Sequence, residues 1–274
     1  MSMLILPLVA AGQNVAGPDN DALVQRALAN EVRAAADAQH PMRYRLHKAS
    51  PRFASTKDIF ETKDGAVAHL VAVNDAPLST ADQQKEQARL NNLLSDPGKQ
   101  HHRKQSEDAD TARAMKVLRV LPVAFLYRFA GTVDRPSGTV QKFTFTPNPK
   151  FNPLELEMQV LTQMTGEIWI DVEHERVARL EGHLQQDVDF GWGILGRLNK
   201  GGWIAIEQAD VGEHQWRMVH FQMSMSGRVV FKTKVFDTTE DESQFAPLPV
   251  ELTYRQAIQM MNTGSGGAKV DSSQ

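Results

Sequence analysis

Apolar and polar positions alternate through most of residues 166–236. Ile168 and Ile170, for example, alternate with polar or aromatic neighbours, and Gly212 and Gly227 are expected at turns. Side chains along a β-strand point to opposite faces in turn, so period-two patterning punctuated by glycine predicts an antiparallel meander. The same pattern recurs in four further runs, at residues 177–182, 203–208, 216–225 and 228–236.

Helical spacing, with apolar residues three and four positions apart, appears on both sides of the meander. It predicts an N-terminal helix over residues 20–39 and a C-terminal helix over residues 252–261. Between them, a polar segment predicts two helices, over residues 79–94 and 99–118, separated by Asp96-Pro97-Gly98. Further strands are expected where alternation returns, at residues 42–48, 56–62, 66–73, 123–133, 139–146 and 154–160.

These elements predict an α+β fold that is mainly antiparallel β. A large antiparallel sheet must wrap or be covered on one face, so we expect a curved meander wrapped around or covered by helices. Residues 20–262 are expected to form a single domain with a helical insertion at 79–118. Residues 263–274 are rich in Gly and Ser, which predicts a disordered tail.

The composition narrows the possible functions. The chain has 274 residues and a formal net charge of −3, so it lacks the basic excess of a general nucleic-acid binder. It contains no cysteine, which excludes disulfides, a thiol nucleophile and a thiolate metal site. No cofactor and no metal are expected.

The first residues resemble part of a secretion signal. The apolar run from Met3 to Ala11 is far shorter than the roughly 20 residues of a membrane span, and no membrane-spanning segment is expected. It ends in Val9-Ala10-Ala11, small side chains typical of a processing site, but no positively charged region precedes it. We interpret residues 1–19 as a truncated signal-like segment and linker, and expect a secreted, periplasmic protein.

Several short motifs contain residue types that carry chemistry. Gly191 to Gly196 satisfies GxGxxG, but no strand–helix context surrounds it, so a tight connection is expected instead of a nucleotide site. The adjacent His101 and His102 do not share a helical face, which favours a solvated surface. Two denser clusters remain: a hairpin tip with Asp171, Glu173, His174 and Glu175, and a possible acid–base set of His183, Asp187 and Asp189.

Apolar side chains on one face of the meander are the better candidates for a binding site. The chain has 11 methionines, whose flexible thioethers suit a surface that accepts varied apolar shapes, although methionine also fills ordinary cores. The candidate ligand-binding residues are Ile168, Ile170, Ile204, Ile206, Val219, Phe221, Met223 and Met225.

The hairpin Gly-Glu-Ile-Trp-Ile-Asp-Val-Glu-His-Glu-Arg-Val-Ala-Arg-Leu-Glu-Gly resembles the outer-membrane lipoprotein-sorting (LolA/LolB-like) family. Trp169-Ile170-Asp171 and Val177-Ala178-Arg179-Leu180 carry this resemblance, and residues 187–202 look like uncharacterised bacterial envelope proteins of that type. The resemblance implies that residues 20–262 form a half-barrel, an incomplete, strongly curved sheet wrapped around helices. Its apolar inner surface would receive acyl chains. The polar insertion at 79–118 departs from the family.

We therefore expect a non-enzymatic periplasmic protein that binds a lipid, an acyl chain or a lipoprotein. The alternative is an envelope scaffold whose core is filled and whose insertion at 79–118 recruits a protein partner. A hydrolase using His183, Asp187 and Asp189 is a third hypothesis. Finally, Trp169 alternates with Ile168 and Ile170, which makes this strand apolar on both faces. We therefore expect the insertion at 79–118, or another chain, to cover the indole.

Overall fold

A single antiparallel sheet organises the molecule, and the computed structural model describes residues 18–190, 196–229 and 232–263. The strands are β1 (Met42–Ser50), β2 (Phe53–Phe60), β3 (Val67–Val73), β4 (Ala76–Pro77), β5 (Phe125–Arg135), β6 (Gly138–Pro147), β7 (Met164–Asp171), β8 (Arg176–Leu184), β9 (Val188–Phe190), β10 (Gly196–Leu198), β11 (Trp203–Asp210), β12 (Trp216–Val229) and β13 (Lys232–Pro247).

The sheet is open. Its main path runs β4-β3-β2-β1-β13-β12-β11-β8-β7-β6-β5, and β10 pairs with both β12 and β9. Every pair is antiparallel. The first strand in the sequence, β1, pairs with the last, β13. Along the described path β4 and β5 are the two ends and do not pair with each other, so the predicted α+β half-barrel class is confirmed.

Four of the described α-helices occupy the positions that the spacing predicts, with shifts at their ends, and a fifth, short helix was not predicted. They are α1 (Pro18–Ala35), α2 (Thr80–Ser95), α3 (Pro97–Ala124), a short α4 (Leu156–Gln159) that continues as a 3-10 turn (Val160–Gln163), and α5 (Tyr254–Asn262). Ser79 accepts the Asp82 N–H at the start of α2, and Thr253 forms a capping box at the start of α5.

The larger apolar core lies between β5–β8, α1 and the end of α3. Leu28 of α1, Ala124 of α3, and Phe143 and Ile168 of the sheet are at most 1% exposed. We call the sheet face that carries Ile168 the inner face. Since α1 and the end of α3 pack on this face, the sheet wraps around helices as expected. A second cluster joins α2 and α5 to the sheet: Phe60, Val67, Leu90, Leu93, Leu248, Leu252, Tyr254, Ala257 and Ile258.

The helical insertion also lies along the edge of β3. Beyond the two residues that pair with β4, β3 has no neighbour on that side among the described strands. Polar side chains of α2 and α3 bond there to the backbone of β3 and of the residues just before it. Glu86 accepts the Leu70 N–H at 2.9 Å, and Glu107 accepts the Ala66 N–H at 2.9 Å. Arg89 donates to the Ala68 carbonyl, while Arg103 and Gln100 donate to carbonyls at residues 64–66.

Trp169 is not covered by the insertion, so that expectation was wrong. Lys142 lies 3.9 Å from the centre of the indole ring, and the guanidinium groups of Arg135 and Arg179 lie 5.4 and 5.6 Å from it. The end of α3 packs in the core on the Ile168 face, which is the opposite face of β7. Cations from neighbouring strands therefore flank an aromatic ring on the outer face, where cation–π attraction holds them.

Two local predictions were also wrong. Residues 154–160 were expected to form a strand but form a helical turn, because the buried Met158 and Leu161 are three positions apart. Gly227 was expected at a turn but lies inside β12, where an added Cβ would come within 2.5 Å of the Arg197 carbonyl oxygen. Glycine is required there because β10 approaches closely.

Some predictions fall outside the described residues. The signal-like segment lies almost entirely in residues 1–17, and the expected disordered tail lies almost entirely in residues 264–274. Within the GxGxxG segment, Gly196 is described and begins β10. Residues 230–231, which separate β12 from β13 in the sequence, are likewise not described.

Candidate ligand-binding cleft

An apolar cleft of about 260 Å³ opens between α1, the end of α3 and the inner face of the sheet. Its walls are mostly aliphatic, with Trp216 at one side and three charged residues at its border. Its lining consists of Leu28, Glu31, Ala34, Ala35, Leu118, Leu121, Ile168, Arg176, Val177, Leu180, Ile206, Gln208, Trp216, Arg217 and Met218.

Strand register produces the sheet side of this cleft. Ile168 of β7 lies opposite Leu180 of β8, which lies opposite Ile206 of β11. Ile206 in turn lies opposite Phe221 of β12. Directly paired residues in an antiparallel sheet project from the same face, so these four side chains form one apolar row across the inner face.

The eight predicted binding residues take different positions relative to the cleft. Ile168 and Ile206 line it, whereas Ile170 is fully buried in the core. Ile204 packs against the same core and lies opposite Met223, so the two share the inner face with Phe221. Met225 lies further along β12, opposite Phe236.

Val219 is displaced by a bulge that the sequence pattern did not reveal. The register between β11 and β12 shifts after the Glu207–His220 pair, so that Gln208 lies opposite Met218. A bulge inserts one extra residue into one strand and re-aims the neighbouring side chains. Consequently Met218, and not Val219, lines the cleft beside Gln208. A ligand-binding role for the eight residues stays a prediction.

Glu31 of α1 forms the polar floor of the cleft. Its carboxylate accepts from Arg176 at 2.8 and 3.0 Å, from the Val177 N–H at 2.9 Å and from Gln208 at 3.0 Å. Glu31 is only 7% exposed, and burial of an ionised carboxylate is tolerated because these donors satisfy both oxygens. These hydrogen bonds connect α1 to β8 and β11.

A more polar cavity of about 500 Å³ adjoins the cleft, and Arg217 borders both. Arg217 donates to the His40 carbonyl and contacts Glu61 at 3.4 Å. Lys63 and Lys104 also line this second cavity. Asp37, Glu61 and Glu251 line it as well, so the apolar cleft ends beside a region of mixed charge.

An acidic and a phenolic side chain lie half-buried on strands β13 and β1. Burial, together with the negative charges of Glu240 and Glu61, raises the pKa of the Glu242 carboxyl to about 7. Burial also raises the pKa of Tyr44, and the negative charge of Glu242 adds to that shift. Tyr44 stacks on Phe245 with the ring centres 5.5 Å apart. The Tyr44 phenol is therefore neutral near pH 7, whereas the Glu242 carboxyl is close to its midpoint there.

The acid–base set expected for a hydrolase is divided among separate ion pairs. His183 Nε2 lies 2.9 Å from a Glu181 oxygen. Asp187 and Asp189 both accept from Arg197, at 3.2 and 2.6 Å. This pairing holds the pKa of Asp189 below its ordinary value. The two aspartates thus share one arginine, while His183 pairs with a different residue.

The hairpin tip between β7 and β8 is more organised than its polar composition suggested. Asp171 is only 2% exposed and accepts both the backbone N–H and the ring Nδ1 of His174. Glu175 contacts α1 through Arg26 at 2.8 Å, and its carbonyl accepts from Asn30. Glu173 is exposed. His101 and His102 lie on α3, in its polar first half.

Comparisons with known proteins give little beyond this geometry. No family model and no curated protein matches the chain. A solved structure described as a "putative outer membrane lipoprotein-sorting protein domain" of Vibrio parahaemolyticus shares 10% identity with a TM-score of 0.31, covering 89% of this chain and 99% of that one. Among the described residues, no helix combines the length and apolarity needed to cross a membrane.

Proposed function

We propose that the protein is a non-enzymatic periplasmic binder of an apolar ligand, an acyl chain of a lipid or lipoprotein, held in the cleft between α1 and the inner face. The observation that supports this most directly is an aliphatic cleft on the inner face that its own side chains leave open. Apolar lining with few polar groups is typical of sites for small apolar ligands.

The size of the cleft limits what it can enclose. Natural ligand pockets span about 300–1,000 Å³, so a cleft of about 260 Å³ lies at the small end. A dry cavity of about 150 Å³ accommodates benzene, and by proportion this cleft would enclose about ten carbon atoms. It would therefore hold part of a single acyl chain, and the remainder would lie along the half-buried Phe221 and Met223.

Polar groups beside the cleft suit the oxygen-bearing end of such a ligand. The indole Nε1 of Trp216 is buried and has no hydrogen-bond partner among the described residues. A buried donor without an acceptor is costly, and an ester or carboxyl oxygen would supply that acceptor. Arg217, which borders both cavities, would add a positive charge for an anionic head.

Ligand binding can be tested by blocking the cleft. Delipidated protein should retain fatty acid or phospholipid adducts in native mass spectrometry and bind a fluorescent fatty acid. Ile206→Trp fills the cleft and should weaken that binding at least about tenfold, the loss of roughly 1.4 kcal/mol. His220→Trp is the matched control, because His220 lies on the outer face of the neighbouring strand, and should bind like the native protein. Clean apo protein with every lipid class, or equal binding by both variants, would contradict the proposal.

A scaffold is the second candidate, and the filled core favours it. Helices fully bury Ile168, Ile170 and Phe143 on the inner face. The family resemblance implied an open apolar inner surface, and here only the cleft stays open. In this alternative, α2 and α3 present their polar outer face to an envelope protein. Crosslinking from Lys85 and Asp108 on that face in intact cells would then give a single partner, and lipid adducts would be missing.

The periplasmic location is a separate part of the proposal, supported by the sequence of the first residues. In its own cells the protein should be exported and cleaved after Val9-Ala10-Ala11, which N-terminal sequencing of the periplasmic fraction would detect. Retention of the protein in the cytoplasm would contradict the location without testing the cleft.

A further inference from the structure

Two hairpin turns bring three metal-ligating side chains together. His174 lies between β7 and β8, while Asp210 ends β11 and His214 lies in the turn before β12. The Nε2 of His174 and the Nδ1 of His214 are 3.2 Å apart, and that Nδ1 is 3.5 Å from Asp210 Oδ2. One ligand atom from each residue lies within 4.8 Å of the others. We propose that His174, Asp210 and His214 bind a zinc ion.

The spacing of the ligand atoms suits zinc. Zinc binds histidine nitrogen at about 2.0–2.1 Å with tetrahedral geometry, which places neighbouring ligand atoms roughly 3.3 Å apart. The two imidazole nitrogens already have this separation. The His214 side chain is 79% exposed, so its ring can rotate until the Asp210 carboxylate and both imidazoles reach the same ion. The set offers three ligands and leaves a fourth position for water.

A buried carboxylate orients the first of these ligands. Asp171 Oδ1 lies 2.9 Å from His174 Nδ1 and also accepts the His174 backbone N–H at 2.8 Å. A carboxylate at Nδ1 keeps the ring proton on that nitrogen and leaves the Nε2 lone pair free for a metal. Asp171 is 2% exposed, so this orientation is fixed by the core of the sheet.

The second carboxylate is also held in place. One oxygen of Asp210 accepts the Gly212 N–H at 2.8 Å, which leaves the other oxygen to face His214. Imidazole ligands favour zinc and similar transition metals, whereas Mg²⁺ and Ca²⁺ prefer sites built from oxygen alone. The chemistry of the set therefore selects zinc over the alkaline-earth ions.

Calorimetry with zinc tests the site on the full, tag-free chain after chelation. Titration with ZnCl₂ should give one zinc per chain, and MgCl₂ should give no saturable heat. His214→Ala should weaken zinc binding at least about tenfold, and Asp171→Asn, which alters only the orienting group, should weaken it by about 10–100-fold. His183→Ala is the matched control, since His183 is a strand histidine paired with Glu181, and should bind zinc normally.

A spectroscopic measurement distinguishes a defined site from scattered surface histidines. Bound Co²⁺ should show the strong visible absorption of a tetrahedral ion and quench Trp216, whose ring centre lies 5.7 Å from that of His174. Trp216→Phe should remove this quenching. Zinc binding that His214→Ala leaves unchanged, with native circular dichroism, would overturn the proposal, as would the absence of one-to-one binding. Neither result depends on whether the cleft binds lipid.

Discussion

Removal of the buried Glu31 carboxylate should destabilise the fold far more than removal of a comparable surface ion pair. Glu31 joins α1 to the sheet through Arg176, the Val177 N–H and Gln208, at distances from 2.8 to 3.0 Å. The side chains of Glu31 and Arg176 are only 8% and 13% exposed. Glu31→Ala leaves Arg176 charged without its partner, and loss of one member of a buried pair costs about 3–5 kcal/mol.

The matched control is a second ion pair from the same helix. Arg26 and Glu175 lie 2.8 Å apart, but their side chains are 48% and 33% exposed. Exposed pairs contribute about 0–1 kcal/mol, so Arg26→Ala should lower the free energy of unfolding by less than about 1 kcal/mol. Urea denaturation of both variants measures the difference. An equal decrease in the free energy of unfolding for both variants would refute the inference that Glu31 stabilises the packing of α1 on the sheet.

Three further substitutions test other parts of the structure. The pKa of Glu242, about 7 against an ordinary 4.5, is higher in the folded chain, so its stabilising contribution is complete below pH 4.5 and lost as the pH rises through 7. Glu242→Gln should remove that pH dependence of unfolding, worth at most about 3 kcal/mol, and an unchanged slope would contradict it. Gly166→Ala should prevent normal pairing of β7 with β8, because its Cβ would lie 1.8 Å from the Glu181 carbonyl oxygen. Gly202→Ala should be tolerated, because a flexible methionine side chain is its nearest neighbour, at 3.2 Å. Equal melting temperatures of the two variants would refute this difference. Trp169→Ala should cost about 1–3 kcal/mol through lost burial and cation–π contacts yet leave amide exchange in residues 79–118 unchanged, and faster exchange there would show that the insertion does cover the indole.

The meander was predictable because its signal is local. Period-two alternation locates β7, β8, β11 and β12, and Gly212, with a φ of 119°, occupies a turn as expected. Faces follow from the same alternation, which correctly placed Ile168 and Ile170 on the inner side. The fold class could therefore be inferred from the chain alone, without knowledge of which strands pair.

Bulges and close backbone approaches were not predictable in this way. The register shift between β11 and β12 exchanges Val219 for Met218 in the cleft, and it depends on which strands pair rather than on composition. Likewise, Gly227 carries the same turn signal as Gly212, yet its glycine is needed because β10 lies against it. The zinc-ligating set is nonlocal too, since His174 and His214 are 40 positions apart and belong to different hairpins.

The insertion shows why a largely polar helix can still belong to the fold. The first half of α3 is polar, and a polar helical face suggests solvent or another partner because it is not suited to an apolar core. Here part of that polarity serves the exposed edge of β3, where Glu86 and Glu107 accept backbone N–H groups and Arg89 donates to a carbonyl. Burial raises the pKa of Glu86, but Arg89 and the Leu70 N–H outweigh that effect and hold it below its ordinary value.

An open sheet needs such protection, because unpaired backbone groups at an edge recruit other strands. In a closed barrel the two edge strands would satisfy each other, and the inner face would be sealed at the same time. Here helix side chains form hydrogen bonds with backbone groups at the edge of β3, and the sheet stays open. Helix α1 packs on the inner face of this open sheet, and the cleft lies beside it.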